Sequence, residues 1–90
     1  MSTVFIPQVL RAEVGGAKSL EVGGSTIGEV VDELVVRHPA LSERLLTPDG
    51  ELHRFVNVYL NGQDVRYLSG LATEVRDRDE VRLLPAIAGG

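Results

Sequence analysis

Two short stretches near the N-terminus each predict a strand, the first by its run of apolar residues and the second by alternation of polar and apolar residues. Residues 3–7 form the first stretch, and Val9 and Leu10 continue its apolar edge. Residues 18–22 form the second, with the period of two expected of a strand that is buried on one face. Because Gly15-Gly16 lies between them and favours a turn, the two strands are predicted to form a hairpin.

A different periodicity begins after the second strand and predicts the main helix. Thr26 is placed to cap it, and Glu29 follows three residues later, which is the spacing of a capping box. One apolar stripe with helical spacing comes next and comprises Ile27, Val30, Val31, Leu34 and Val35. Pro39 is predicted to end the helix, since a proline disfavours helical geometry at the residue before it, His38.

The second half of the chain predicts three more strands. Residues 40–46 favour a short helical turn, residues 55–60 a strand, residues 63–67 its return across Asn61-Gly62, and residues 80–85 the last strand. The order strand, strand, helix, strand, short strand, strand is typical of an α+β protein of the β-grasp, or ubiquitin-like, architecture. We therefore expect a mixed sheet of four to five strands over one main helix.

Composition narrows the possible functions. The chain has 90 residues, a net charge of −4 and no cysteine. The negative net charge argues against a nucleic-acid binder, and the lack of cysteine excludes thiol chemistry of its own. No apolar run has the length of a membrane span, and the N-terminus does not resemble a signal peptide. We expect a cytoplasmic protein that binds neither nucleic acid nor membrane.

The C-terminus is the most informative segment. The last predicted strand is followed almost at once by Ala88, Gly89 and Gly90. Glycine has no Cβ, so these last residues are suited to a channel too narrow for other side chains. We expect the carboxylate of Gly90 to be the reactive group, and Ile87, Ala88 and Gly89 to be the segment that enters a partner's channel.

Other residues are candidates for a docking surface. His53, Arg54 and Phe55 precede the strongest predicted strand, and Val58 and Leu83 lie within strands that have one exposed face. For each, contact with a partner and ordinary packing are both open interpretations. The two histidines lack the spacing of metal ligands, and no residue is predicted to be catalytic or to bind a metal.

Three segments of the chain resemble a known family. They are Leu-His-Arg-Phe-Val-Asn-Val-Tyr-Leu-Asn at residues 52–61, Ser-Glu-Arg-Leu at residues 42–45, and Leu-Pro-Ala-Ile-Ala-Gly-Gly at residues 84–90. Together they are similar to the ubiquitin-like sulfur-carrier proteins of the ThiS/MoaD superfamily, and most closely to its CysO-type members. The resemblance extends over residues 1–90 as one domain, with residues 85–90 expected to be a flexible functional tail.

The resemblance implies a protein co-substrate rather than an enzyme. In this family, an adenylyltransferase and sulfurtransferase related to ubiquitin-activating enzymes uses ATP and Mg²⁺ to convert the terminal carboxylate into an acyl adenylate, which a sulfur donor converts into a thiocarboxylate. By this resemblance sulfur is attached at Gly90, and the carrier itself binds no cofactor. The implied acceptor is a cysteine synthase acting on O-phosphoserine, followed by a zinc-dependent peptidase, or an enzyme of thiosugar or thiazole synthesis.

Three alternative hypotheses remain open. The chain is also compatible with a MoaD-like small subunit of molybdopterin synthase, whose tail remains in an enzyme complex. A ubiquitin-like protein modifier would use the same terminus to acylate lysines of other proteins. A β-grasp interaction module would have the two glycines only as an ordinary chain end.

Overall fold

A mixed five-stranded sheet covered on one face by a helix is the central feature of the computed structural model, which describes residues 1–85. The strands are β1 (Ser2–Phe5), β2 (Ser19–Val22), β3 (Val56–Leu60), β4 (Gln63–Asp64) and β5 (Glu80–Pro85). They are ordered β2-β1-β5-β3-β4, with β1 and β5 parallel and the other neighbours antiparallel. The predicted β-grasp architecture is confirmed, and β5 lies in the middle of the sheet.

The helices are α1 (Ile27–Arg37) and the single turn α2 (Ser42–Leu45), with short 3-10 segments between the other elements. Thr26 caps α1 as predicted, because its hydroxyl accepts a hydrogen bond of 3.1 Å from the Glu29 amide. The Glu29 carboxylate accepts from the amide and hydroxyl of Ser25 instead of the Thr26 amide. These two hydrogen bonds lower the pKa of the Glu29 carboxyl group.

The apolar stripe of α1 packs on the inner face of the sheet. Ile27, Val30, Val31 and Leu34 are buried in the core, and Val35 is partly buried against it. The helix ends at Arg37, before Pro39, as the sequence predicted. Gly28 lies in a narrow gap, because an added Cβ would come within 3.2 Å of the Leu71 carbonyl oxygen.

The segment after β1 corrects the first sequence prediction. The strand ends at Phe5, and Gln8–Val14 form a 3-10 helix instead of an extended edge. Leu10 and Val14, four residues apart, are both buried in the core, whereas Val9 is 58% exposed. The apolar residues here thus follow a helical period, which the prediction of an extended edge missed.

The predicted tight turn between β3 and β4 is present, but the return strand is shorter than expected. Asn61 and Gly62 both have positive φ angles, 50° and 89°, as a primed hairpin turn requires. The strand stops at Asp64, whose side chain accepts a hydrogen bond from the Arg66 amide. This cap begins a 3-10 turn at Val65–Tyr67, where the sequence had predicted more strand.

Val58 and Leu83 were wrongly included in the candidate docking surface. They are register partners on β3 and β5, and each is only 1% exposed. Both side chains belong to the core on the inner face of the sheet. Neither is accessible to a partner in the folded protein.

No helix within residues 1–85 has both the length and the apolar character needed to cross a membrane.

Candidate functional site

The last strand before the C-terminus, β5, lies in the middle of the sheet. Strand β5 is bonded to β1 on one side and to β3 on the other, and its last residue, Pro85, is the register partner of Val56. The predicted attachment point Gly90 and the predicted channel segment Ile87, Ala88 and Gly89 lie outside the described residues. Their roles remain predictions, and the site described below is the surface beside the end of β5.

Three of the predicted docking residues form one cluster at this end of the sheet. Phe55 immediately precedes Val56, and its side chain is 49% exposed. The His53 ring lies 5.1 Å from the Phe55 ring, and the Arg54 guanidinium carbon lies 5.2 Å from the same ring. An exposed aromatic residue with a cation beside it is suited to contact with a partner. We call His53, Arg54 and Phe55 the exit cluster.

Arg66 fixes the backbone of the exit cluster, and the sequence analysis did not identify it. Its guanidinium donates hydrogen bonds of 3.0 Å to the His53 carbonyl and 2.7 Å to the Val56 carbonyl. It also donates to the side-chain oxygen of Asn57. The planar Arg66 guanidinium therefore connects the loop that contains Phe55 to the beginning of β3.

A second exposed surface lies on the outer face of β1 and β5. Leu84 is 46% exposed, in contrast to its buried neighbour Leu83. The Arg82 guanidinium carbon lies 4.3 Å from the centroid of the Phe5 ring, across the β1–β5 register. The signal for Leu84 is present in the sequence, since adjacent strand residues point to opposite faces and only one of two neighbouring leucines can enter the core.

No group of three or more histidine, cysteine, aspartate or glutamate side chains within residues 1–85 could hold a metal ion. The site is a surface beside the end of β5, with one aromatic cluster on the β3 side and one aromatic–cation pair on the β1 side. Such an arrangement can bind another protein and present the C-terminus to it.

Comparison with known proteins shows the family of the chain. The model of the ThiS family matches residues 4–90, and the chain therefore belongs to the ThiS family. The sulfur carrier protein CysO of Mycobacterium tuberculosis is 50% identical over 90 residues, which cover 98% of this chain and 97% of that protein. The small archaeal modifier protein 1 of Haloferax volcanii is 38% identical over 82 residues, covering 88% and 90% of the two chains.

A solved structure matches the whole fold. In the crystal structure of the BexX/CysO complex from Amycolatopsis orientalis, one chain aligns with a TM-score of 0.92 and 47% identity, covering 100% of both chains. The predicted family resemblance, the β-grasp fold and the sulfur-carrier role are confirmed by these matches. The similar proteins are named as carriers and small modifiers, not as catalysts.

Proposed function

We propose that this protein carries sulfur as a thiocarboxylate on Gly90 and delivers it to a biosynthetic enzyme. The observation that supports this most directly is that the ThiS-family match continues to residue 90, so it includes the two terminal glycines. The protein is then a co-substrate. Its partners supply the catalysis, while its own folded body supplies recognition.

The chemistry requires an activation step. An α-carboxyl group with a reference pKa of about 3.3–3.7 is ionised at neutral pH, and the carboxylate is a poor electrophile. In the proposed step, a carboxylate oxygen attacks the α-phosphorus of ATP, and pyrophosphate leaves. A sulfur nucleophile from a donor then adds to the acyl carbon and expels AMP, which divides one difficult substitution into two easier ones. The ATP and Mg²⁺ are used by the activating enzyme, and none is proposed to reside on this chain.

The dimensions of the tail suit this task. Residues 85–90 span at most roughly 20 Å when fully extended. A partner that docks on the exit cluster can therefore receive the terminus in an active site some distance inside its own surface. The absence of side chains at Gly89 and Gly90 allows a narrow channel to surround them.

Two partner enzymes are proposed for this cycle. The first is an adenylyltransferase and sulfurtransferase related to ubiquitin-activating enzymes. The second is the sulfur acceptor, either a cysteine synthase that uses O-phosphoserine or an enzyme of thiosugar or thiazole synthesis. A cysteine synthase route would add a zinc-dependent peptidase that releases cysteine and regenerates Gly90. These routes are distinguished by incubating the thiocarboxylated chain with each purified acceptor enzyme and its co-substrate. The acceptor that converts the thiocarboxylate back to the carboxylate identifies the route.

A protein modifier is the second candidate function, and the match to the small archaeal modifier protein 1 favours it. In that role, the activated Gly90 would form an isopeptide bond with a lysine of another protein. Adducts bearing the C-terminal peptide of this chain on lysine side chains, detected by mass spectrometry of host lysates, would support it.

Intact mass spectrometry of the protein isolated from its own host tests the main proposal. The expected species carries the mass increase that results when one terminal oxygen is replaced by sulfur. A chain that lacks Gly90 is the matched control and should show no such increase. If the native protein is never found in this form, even when its adenylyltransferase and a sulfur source are supplied, the sulfur-carrier proposal fails for this chain.

A further inference from the structure

A positively charged groove lies beside the end of β5, on the opposite side from the exit cluster. It has a volume of about 370 Å³ and lies between the 3-10 helix Gln8–Val14 and the last residues of β5. Its charged lining residues are Arg11, Lys18 and Arg82, and its exposed or partly exposed apolar ones include Phe5, Pro7 and Leu84. We call this surface the basic groove.

The charge of the basic groove is opposite to that of the chain as a whole. The protein has 13 acidic and 9 basic residues, yet no carboxylate side chain lines this groove. Within the part of the chain that the structure describes, none of the three cations forms an ion pair with a carboxylate. Three like charges that share one concavity repel each other, and a negatively charged ligand would relieve that repulsion.

Two of the three cations are already oriented. The Nε atom of Arg11 donates a hydrogen bond of 3.1 Å to the Ile6 carbonyl, and the Arg82 guanidinium is stacked on the Phe5 ring. A guanidinium held in this way loses little side-chain entropy when its remaining N–H groups bind a carboxylate. Bidentate arginine–carboxylate pairs are among the stronger hydrogen-bonded contacts that a surface can offer.

The position of the groove selects its ligand. Leu84 lines the basic groove and is the penultimate residue of β5. A protein that binds the C-terminus therefore lies close to the basic groove. Activation of Gly90 requires an adenylyltransferase whatever the final sulfur acceptor is. We propose that the basic groove binds an acidic segment of this adenylyltransferase, with Arg11, Lys18 and Arg82 pairing with its carboxylates while Phe5 and Leu84 exclude water around them. This inference rests on the proposed function and identifies the recognition element for its first step.

Charge reversal in the groove tests the inference. The variants are Lys18→Glu and the double variant Arg11→Glu/Lys18→Glu, and the matched control is Arg78→Glu. Arg78 is an exposed cation in the turn that precedes β5, at the end of the strand away from the tail, and it forms no ion pair within residues 1–85. Each variant is first compared with the parent chain by thermal unfolding, so that only folded proteins are assayed.

The assay measures pyrophosphate release and thiocarboxylate formation with the host's adenylyltransferase, MgATP and sulfide. We expect the KM for the double variant to rise about tenfold or more, with a smaller rise for Lys18→Glu and none for Arg78→Glu, because charge complementarity acts mainly on encounter and docking. The kcat at saturating carrier should remain unchanged. The difference in KM should shrink as salt is raised from about 0.05 to 0.5 M, since screening weakens exposed charge pairs.

Each contrary outcome has a separate meaning. If the parent chain is activated normally and all three variants have its KM, or if Arg78→Glu is impaired as much as the groove variants, the basic groove is not the recognition element. If only transfer to the sulfur acceptor is impaired, the ligand is a different protein and the inference is wrong. If removal of residues 89–90 from the free protein shifts the NMR signals of the Arg11 and Arg82 side chains, the groove binds the chain's own terminus, which also overturns the inference. Failure of the parent chain itself to be activated would instead refute the proposed function.

Discussion

Arg66 connects the turn after β4 to the loop before β3, and its planar side chain is what allows it to do so. The guanidinium reaches two carbonyl groups and one amide side chain at once, at His53, Val56 and Asn57. A lysine at this position would offer a single ammonium group on a flexible stem. Arg66→Lys should therefore lower the free energy of unfolding by about 1 kcal/mol.

Urea denaturation checks this prediction, and Arg54→Lys is its control. Arg54 lies in the same loop and is also exposed, and its guanidinium contacts the Phe55 ring but makes no hydrogen bond to the backbone of residues 1–85. Its replacement should change the free energy of unfolding by no more than about 0.5 kcal/mol. Equal effects of the two substitutions would show that the fork of hydrogen bonds does not stabilise the loop.

Gly89 provides a test of the steric argument for the tail. We expect Gly89→Trp to leave the melting temperature of the domain unchanged, since the core formed within residues 1–85 uses only positions 4–83. Thiocarboxylate formation should fall by at least about 100-fold, because a channel that fits glycine cannot admit an indole ring. The measurement is intact mass after incubation with the adenylyltransferase, MgATP and sulfide. The variant Gly23→Trp is the control, because an added Cβ at this glycine meets no atom within 4 Å. Normal activation of Gly89→Trp would remove the steric argument.

The turn before β5 is stabilised by a charged group, the carboxylate of Asp79. The Asp79 carboxylate accepts hydrogen bonds from the Arg76 amide and the Asn61 side chain. These bonds hold the pKa of Asp79 below its unperturbed value of 3.8. A carboxyl group whose pKa is depressed by folding adds stability that is fully present above 3.8 and is lost as pH falls toward the lower folded value.

Asp79→Asn should therefore destabilise the protein at pH 7 and make little difference at a pH below the folded pKa of Asp79. Denaturant unfolding of parent and variant between pH 2 and pH 7 measures the two curves, which should converge at the acidic end. Asp49→Asn, in the exposed loop after α2, is the control, and at pH 7 it should change the free energy of unfolding by no more than about 0.5 kcal/mol. Parallel curves for Asp79→Asn would mean that its hydrogen bonds do not distinguish the charged from the neutral carboxyl group.

The elements also show what could be predicted from sequence. The helix α1 and the strand β5 were placed correctly because each has a strong signal, a cap with an apolar stripe in one and a proline boundary in the other. The 3-10 helix after β1 was missed, since Leu10 and Val14 give too short a pattern to reveal a helical period. Val58 and Leu83 were assigned to a docking surface because the alternation of side chains along a strand defines two faces. It does not show which of the two faces the helix covers. Arg66 was not found, since no motif or hydrophobic period marks the hydrogen bonds that its guanidinium makes to backbone carbonyls across the β3–β4 hairpin.

For the molecule as a whole, the exit cluster should act in binding and contribute little to folding. Phe55 is about half exposed, so Phe55→Ser should change the melting temperature little. Its KM in the adenylyltransferase reaction should rise about tenfold, since exposed aromatic residues often dominate the energy of an interface. Tyr67→Ser, which alters an aromatic residue that is 88% exposed and lies outside the cluster, is the control. An unchanged KM for Phe55→Ser would show that the partner does not dock on this side of the tail.

The central position of β5 has a mechanical consequence. Hydrogen bonds to β1 and β3 run along both sides of this strand, so a pulling force applied at the C-terminus is shared by two ladders and loads them in shear. An unfoldase that pulls on the C-terminus would have to break both ladders before the domain unfolds. One that pulls on the short edge strand β4 would have to break only the ladder to β3. The strand that leads to the proposed sulfur-attachment point thus lies in the part of the sheet that best resists pulling.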